Sequence, residues 1–290
     1  MENIFDIYLL EAIVNGLLLG GLLALLALGL NLVFGVIDVT WICYAELVMI
    51  GMYAMYYLNA VYGVPFPLAA LLCILVVAFL GAVLHLLVIS PLINAAPINQ
   101  LLATGGVLFF LQSFATVTFG IEFRNLGIRM QPIPIGELSL SAPRLIAFAV
   151  ALGGMVAVYL FLTRTYTGTA IRAVSQDRQI MPLMGVDTRR IYIITSALGG
   201  GMAGLAACVL VLQYDVHPFI GLTFGPITFL ICVLGGLGNF IGGFLAAFIF
   251  ALIISVGGLY LDLEWGYVFA FVFFIIMMFL RPEGLFARRK

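Results

Sequence analysis

The sequence predicts an all-α, polytopic integral membrane protein, and three observations carry that prediction. Of 290 residues, 64% are hydrophobic and 9% charged, and the mean hydropathy of +1.25 lies far from soluble domains. Apolar runs repeatedly reach the roughly twenty residues that a helix needs to cross hydrocarbon. The basic residues cluster: five of twelve, Arg164, Arg172, Arg178, Arg189 and Arg190, lie within residues 163–190. By the positive-inside rule that segment is cytoplasmic, and it orients everything else.

Taken in order, the run 9–58 holds two passes with a break near 34–38, and a turn at 62–67 leads to a third span over 68–89. A link from Ser90 and a fourth span to about Phe119 follow. Residues 120–143 carry Glu122, Arg124, Arg129 and Glu137 with three prolines, which predicts an irregular outer surface loop. Residues 145–162 descend to the basic segment and 191–212 return. Within the basic segment Thr167 can cap a helix, Pro182 disfavours helix at Met181 and Gly185 suits a turn. Both a short exposed helix and a solvated loop fit that composition. Arg281, Arg288, Arg289 and Lys290 put the C-terminal end in the cytoplasm too. Parity then requires two passes or a re-entrant pair from 222–259, turning at the GGLGN of 235–239, before the last pass near 268–280. About eight to nine segments result, some broken or re-entrant, with the N-terminus outside, in one transmembrane domain over 1–290. The first apolar run has no basic residue before it, so it is expected to be kept as a span rather than cleaved.

Several functions lack their parts. A phosphate-binding loop needs a lysine, and the only one is Lys290. The GGGMAG of 199–204 lies inside an apolar run with no strand before it, so it is expected to pack helices, as are the pairs Gly16 and Gly20, Gly200 and Gly204, and Gly238 and Gly242. No GxSxG or HExxH string occurs, and the Tyr214-Asp215 pair lacks its GxGD counterpart, so no catalytic residue is assigned. Cys43, Cys73, Cys208 and Cys232 have neither zinc nor redox spacing and are expected to pack. No metal site is expected, because His217 beside Asp215 offers too few ligands and His85 reads as a packing histidine. With a net charge of -1, no nucleic-acid partner is expected.

What remains is a transport path. Asp38 and Glu46 are ionisable groups in apolar surroundings, where charge is costly and usually faces a cavity or a partner. Asp38 can instead cap a helix starting near Val39. On one helix the two would lie about 12 Å apart along the axis and flank the midplane. Gln112 and Asn31 are further polar candidates. The strings FGVIDVTWIC from Phe34 and FGPITFLIC from Phe224 look alike and fall in opposite halves, a pairing that points to a path near the midplane.

With those residues assembled, the chain resembles the permease subunits of branched-chain amino acid ABC importers, the LivH/LivM-type family, over nearly its whole length. GLNLVFGV at 29–36, AELVMIGMYA at 45–54, LLATGGVLFFLQ at 101–112, GTAIRAVSQDRQIMPLMGVDTRRI at 168–191, LGGLGNFIGGFLAA and LRPEGLF carry the likeness in order. The resemblance implies a cytoplasmic segment that docks on a separate ATPase, carried here by Gly168, Ala170, Arg172, Ala173, Asp177 and Gly185. It also implies a second permease subunit, two ATPase subunits that hold ATP and magnesium, an extracytoplasmic solute-binding protein, and residence in the inner membrane bilayer. No cofactor is expected on this chain. Where the family reads NFAHGE, this chain has Trp41, Ile42, Cys43, Tyr44, Ala45 and Glu46 and keeps only the glutamate. Trp41 and Tyr44 thereby join Asp38, Glu46 and Gln112 as substrate-path candidates. Branched-chain or other hydrophobic amino acids are the expected cargo, with urea, short amides or an aromatic solute as alternatives. The QIMP of 179–182 replaces a charged, alanine-rich run, and the link after Ser90 lacks the family's arginines. A stand-alone secondary transporter or channel is the competing class.

Overall fold

A computed structural model describes residues 2–128, 133–135, 138–178, 180–260 and 262–286. Expectations resting on Arg129, Glu137, Gln179, Arg288, Arg289 and Lys290 lie outside the described residues. Among the described residues the regular structure is helical apart from one small hairpin: α1 (Glu2–Ile37), α2 (Tyr44–Tyr56), α3 (Phe66–Leu84), α4 (Ser90–Leu92), α5 (Pro97–Phe119), strands β1 (Ile133–Ile135) and β2 (Leu138–Leu140), α6 (Ala142–Arg164), α7 (Tyr166–Gln176), α8 (Thr188–Leu210), α9 (Ile220–Gly235), α10 (Phe240–Tyr260) and α11 (Leu263–Leu280). A π-helical turn extends α2 over Tyr57–Val61, and another joins α3 to α4 over His85–Ile89. Six segments are long and apolar enough to cross a membrane, which makes this a multi-pass membrane protein. The other apolar helices are shorter: α9 has 16 residues, or about 24 Å at 1.5 Å per residue.

Helix α1 is the central post, buried along most of its span. It runs antiparallel to α10, since Gly16 faces Leu252 and Ser255 while Gly20 faces Phe248. Helices α3 and α8 are also antiparallel and approach almost backbone to backbone. A Cβ on Gly81 would lie 2.6 Å from the Ser196 carbonyl, and one on Gly200 equally close to the Val77 carbonyl. The glycine strings in α1 and α8 are therefore helix contacts, which a membrane interior favours because small residues let backbones approach. The four cysteines are buried and unbridged. His85 is buried and shares a 3.0 Å hydrogen bond with Ser196.

Four local expectations are corrected. The first break lies over residues 38–43 rather than 34–38, because α1 continues through Gly35 to Ile37. Asp38 does not cap a helix starting near Val39. Instead it follows the last residue of α1 at φ +57°, its N–H bonded to the Phe34 carbonyl at 3.1 Å, and α2 begins only at Tyr44. A short polar side chain tolerates this left-handed position better than its apolar neighbours would. The cap of α7 is Thr165, whose hydroxyl accepts the Gly168 N–H at 3.0 Å, whereas Thr167 lies inside the first turn. The helix then ends at Gln176, before Pro182, which belongs to a short 3₁₀ turn over Met181–Met184 closed by Gly185 at φ +80°. The loop 120–143 is not wholly irregular, for β1 and β2 pair with Pro134 opposite Ser139. The loop is also fastened by Arg124, whose backbone exchanges hydrogen bonds of 3.0 and 2.7 Å with Val216. The Arg124 guanidinium reaches the Phe119 carbonyl at 2.6 Å and lies over the rings of Tyr56 and Tyr57. The hydrogen bond that the guanidinium donates to the Tyr57 hydroxyl raises its already high pKa further.

The two basic segments lie at one end of the bundle. Leu285 donates to the Leu234 carbonyl at 2.7 Å, the α9–α10 turn packs Gly238 against Gly35, and Asp38 beyond Gly35 pairs with Arg178. At the opposite end His217 packs at a tilt on Phe123 with ring centres 4.7 Å apart, and Asp215 accepts from Asn125 at 2.7 Å. Burial lowers the His217 pKa, with Asp215 acting against the shift.

Candidate functional site

The break between α1 and α2 carries its residues back into the bundle. Thr104 of α5 donates to the Thr40 carbonyl at 2.8 Å, and Trp41 and Tyr44 pack edge to face with centroids 6.1 Å apart. The Tyr44 hydroxyl donates to the Gly199 carbonyl at 3.4 Å, which fixes this aromatic pair midway along α8. Beside it lies a cavity of about 220 Å³. Its walls are Trp41, Ile42, Tyr44 and Ala45 from the break and the start of α2, Leu30 from α1, Leu101 and Leu108 from α5, and Gly221, Leu222, Gly225, Pro226, Thr228 and Phe229 from α9. The lining is almost wholly apolar, as ligand cavities commonly are. The two similar strings thus meet, one through Trp41 and Ile42, the other through Gly225 to Phe229, and Phe34 packs on Phe229 with ring centres 6.0 Å apart.

Glu46 stands directly behind this wall. It is fully buried, and neither carboxylate oxygen has a hydrogen-bond partner among the described residues. It occupies the first turn of α2, and its carboxylate lies against Gly221 in the first turn of α9. The first turns of two helices therefore lie beside it, and helix dipoles at such ends offset part of the cost of burying a carboxylate. Trp41 Nε1 is also buried, beside the Cys43 thiol.

The other path candidates fall elsewhere. Gln112 is buried on α5 one turn beyond Leu108 and does not line the cavity. Asp38 is outside it, exposed at the α7 end, and holds Arg178 at 3.0 Å. The expected helical spacing of Asp38 and Glu46 does not exist, because residues 38–43 between them are not helical. Thr228 and Phe229 went unnoticed as individual lining residues, although the repeated string containing them was the available signal.

The basic segment is an amphipathic helix. Gly168, Ala170, Ile171 and Val174 are buried, while Tyr166, Thr169, Arg172 and Ser175 face outward at three-residue intervals. Ala173 is half-buried between these faces. The Asp177 carboxylate accepts the Ile180 N–H at 3.1 Å and so shapes the turn toward Gly185. Among the described residues no cluster of His, Cys, Asp or Glu could hold a metal ion.

Residues 12–278 match a family model described as branched-chain amino acid transport system, permease component. The chain belongs to this permease family. Similar curated permeases agree along almost the whole chain. The high-affinity branched-chain amino acid transport system permease protein LivH of Salmonella typhimurium is 26% identical over 298 residues, 97% of this chain and 96% of the relative. LivH of Escherichia coli is 26% identical over 306 residues with the same coverage. BraD of Pseudomonas aeruginosa is 28% identical over 294 residues, covering 96% of each. Among solved structures, PsaBC from Streptococcus pneumoniae in complex with Fab has a TM-score of 0.47 and 14% identity, over 96% of this chain and 92% of that one. The permease family is a transport family rather than an enzyme family.

Proposed function

We propose that this permease is the membrane subunit of an ATP-driven importer that moves branched-chain or other hydrophobic amino acids across the inner membrane. One observation carries the reading: an unpartnered, buried Glu46 behind an apolar, aromatic-edged cavity. An amino acid offers the complement, an apolar side chain for the cavity and an ammonium group for the carboxylate. Residues 1–290 form one permease domain with nine passes, α2, α9 and α11 being the short or broken ones, the N-terminus outside and the C-terminus cytoplasmic. The helix α7 docks on ATPase subunits, two of which hold ATP and magnesium, while a second permease subunit and an extracytoplasmic binding protein complete the complex. Trp41, Tyr44 and Phe229 favour, as a second reading, an aromatic solute on the same path; urea and short amides find few polar partners in these walls.

The test is uptake by the assembled complex in liposomes with leucine and phenylalanine as labelled solutes. Glu46→Gln keeps the shape and removes the charge, and should lower uptake roughly ten- to a hundredfold, the range of one charge-assisted hydrogen bond. Wild-type uptake by Glu46→Leu would remove Glu46 from the path. Uptake by this chain alone, indifferent to added ATPases, would replace the importer by a stand-alone transporter or channel.

A further inference from the structure

The non-helical stretch that carries Trp41 into the cavity starts at a residue tied to the basic segment. Asp38 accepts from Arg178 Nη2 at 3.0 Å across 140 positions of sequence, and Arg178 lies two residues beyond the end of α7. Arg178 also interacts with the Tyr192 side chain on α8. From Asp38 the chain has only three steps to Trp41, at most about 11 Å of extended backbone. Within that stretch Val39 is fully buried and the Thr40 carbonyl is held by Thr104.

The choice of residue at position 38 is informative. Asp38 is the only non-glycine with positive φ among the described residues, in a place where glycine is the unstrained choice for the backbone. What an aspartate adds there is a carboxylate, and the partner that carboxylate meets is Arg178. The pair is open to solvent, with the two side chains 44% and 76% exposed for Arg178 and Asp38, so it adds little to the stability of the fold.

We propose that Asp38 and Arg178 are a positioning pair: a strut that passes displacement of the α7 segment to Trp41 at the cavity wall. The inference rests on the importer reading above and adds to it the connection between the driven end and the solute cavity. In the working cycle the pair stays closed and the two segments move together. Loss of the pair lets α7 move without moving the break, so ATP is hydrolysed with less solute carried.

The experiment measures solute imported per ATP hydrolysed by the complete complex in liposomes with its binding protein. Asp38→Asn keeps a residue suited to positive φ, and Arg178→Gln keeps a polar side chain while removing the charge. Each should lower the ratio by about two- to fivefold, the factor an exposed ion pair supports, while binding-protein-stimulated hydrolysis persists. The double variant should lose no more than either single one, because both remove the same link. Asp38→Gly relaxes the backbone and should be as uncoupled as Asp38→Asn. Wild-type coupling in Asp38→Gly would make Asp38 a turn residue only and overturn the strut, as would additive losses in the double variant. No ATP-dependent import by the wild-type complex would refute the importer reading itself, a result distinct from these two.

Discussion

Gly221 opens α9 directly against the carboxylate of Glu46, so a side chain at position 221 would occupy the space that the two oxygens now fill. A buried acidic group at the start of one helix has thus been fitted to the absence of a side chain at the start of another. Gly221→Ala should displace the carboxylate and cut transport about tenfold, an effect of about 1.4 kcal/mol. Combining Gly221→Ala with Glu46→Asp, which withdraws the carboxylate by one methylene, should recover part of that loss. Uptake assays on the two variants check it, and equal activity of Gly221→Ala and wild type would mean that the position of the carboxylate is immaterial.

The outward face of α7 supplies a separate expectation. Arg172→Glu alters an exposed residue and leaves the buried Ile171 and Val174 in place, so insertion and assembly with the second permease should be unchanged. Pull-down of the ATPase subunits should weaken at least tenfold. Asp177→Asn keeps an acceptor for the Ile180 N–H and should be milder than Asp177→Arg, which loses it. Normal docking by Arg172→Glu would leave α7 a solvated connection.

Gly168→Val examines the elbow that carries that face. Its new side chain would collide with the backbone of Phe161 and Leu162 in the last turn of α6. Backbone cannot move aside as a side chain tip can, so α7 should be displaced, with docking lost while α6 and α8 remain inserted. Limited proteolysis should show new cleavage within residues 165–187.

Gly200→Val addresses the packing of α3 on α8. The Cβ alone would approach the Val77 carbonyl to 2.6 Å. A destabilisation of about 1–3 kcal/mol is expected from forcing such a contact apart, read as a lower thermal unfolding midpoint in detergent. Gly201→Ala meets only ordinary contacts at 3.7 and 3.8 Å and should leave the midpoint nearly unchanged.

Purified alone, the chain should neither bind nor hydrolyse ATP, because the lysine that a phosphate-binding loop requires occurs only as Lys290. Equilibrium binding of a fluorescent nucleotide checks this, and saturable binding would overturn it.

The helices were legible because hydrocarbon demands long apolar runs, and their ends were marked by proline and glycine. The cavity was legible in outline, since the similar strings beginning at Phe34 and Phe224 face each other across it. Asp38 was not, because a carboxylate beside apolar residues looks the same whether it starts a helix, ends one or faces a path. Only the backbone at φ +57° and the distant Arg178 decide among these. Thr167 as the cap of α7 failed for a similar reason: the hydroxyl of Thr165 caps instead, because α6 ends at Arg164. The stretch 38–43 has no periodicity to read, and its course depends on Thr104 of another helix.

The shortness of α9 has a consequence for the surrounding lipid. Its 16 residues span about 24 Å against a hydrocarbon core of about 30 Å. Its first turn, with Gly221 and the Glu46 carboxylate beside it, therefore lies below the headgroups when its other end is at the interface. A bilayer of shorter acyl chains would bring water nearer to that carboxylate, and one of longer chains would seal it in. Uptake in liposomes of different acyl-chain length should therefore vary with bilayer thickness.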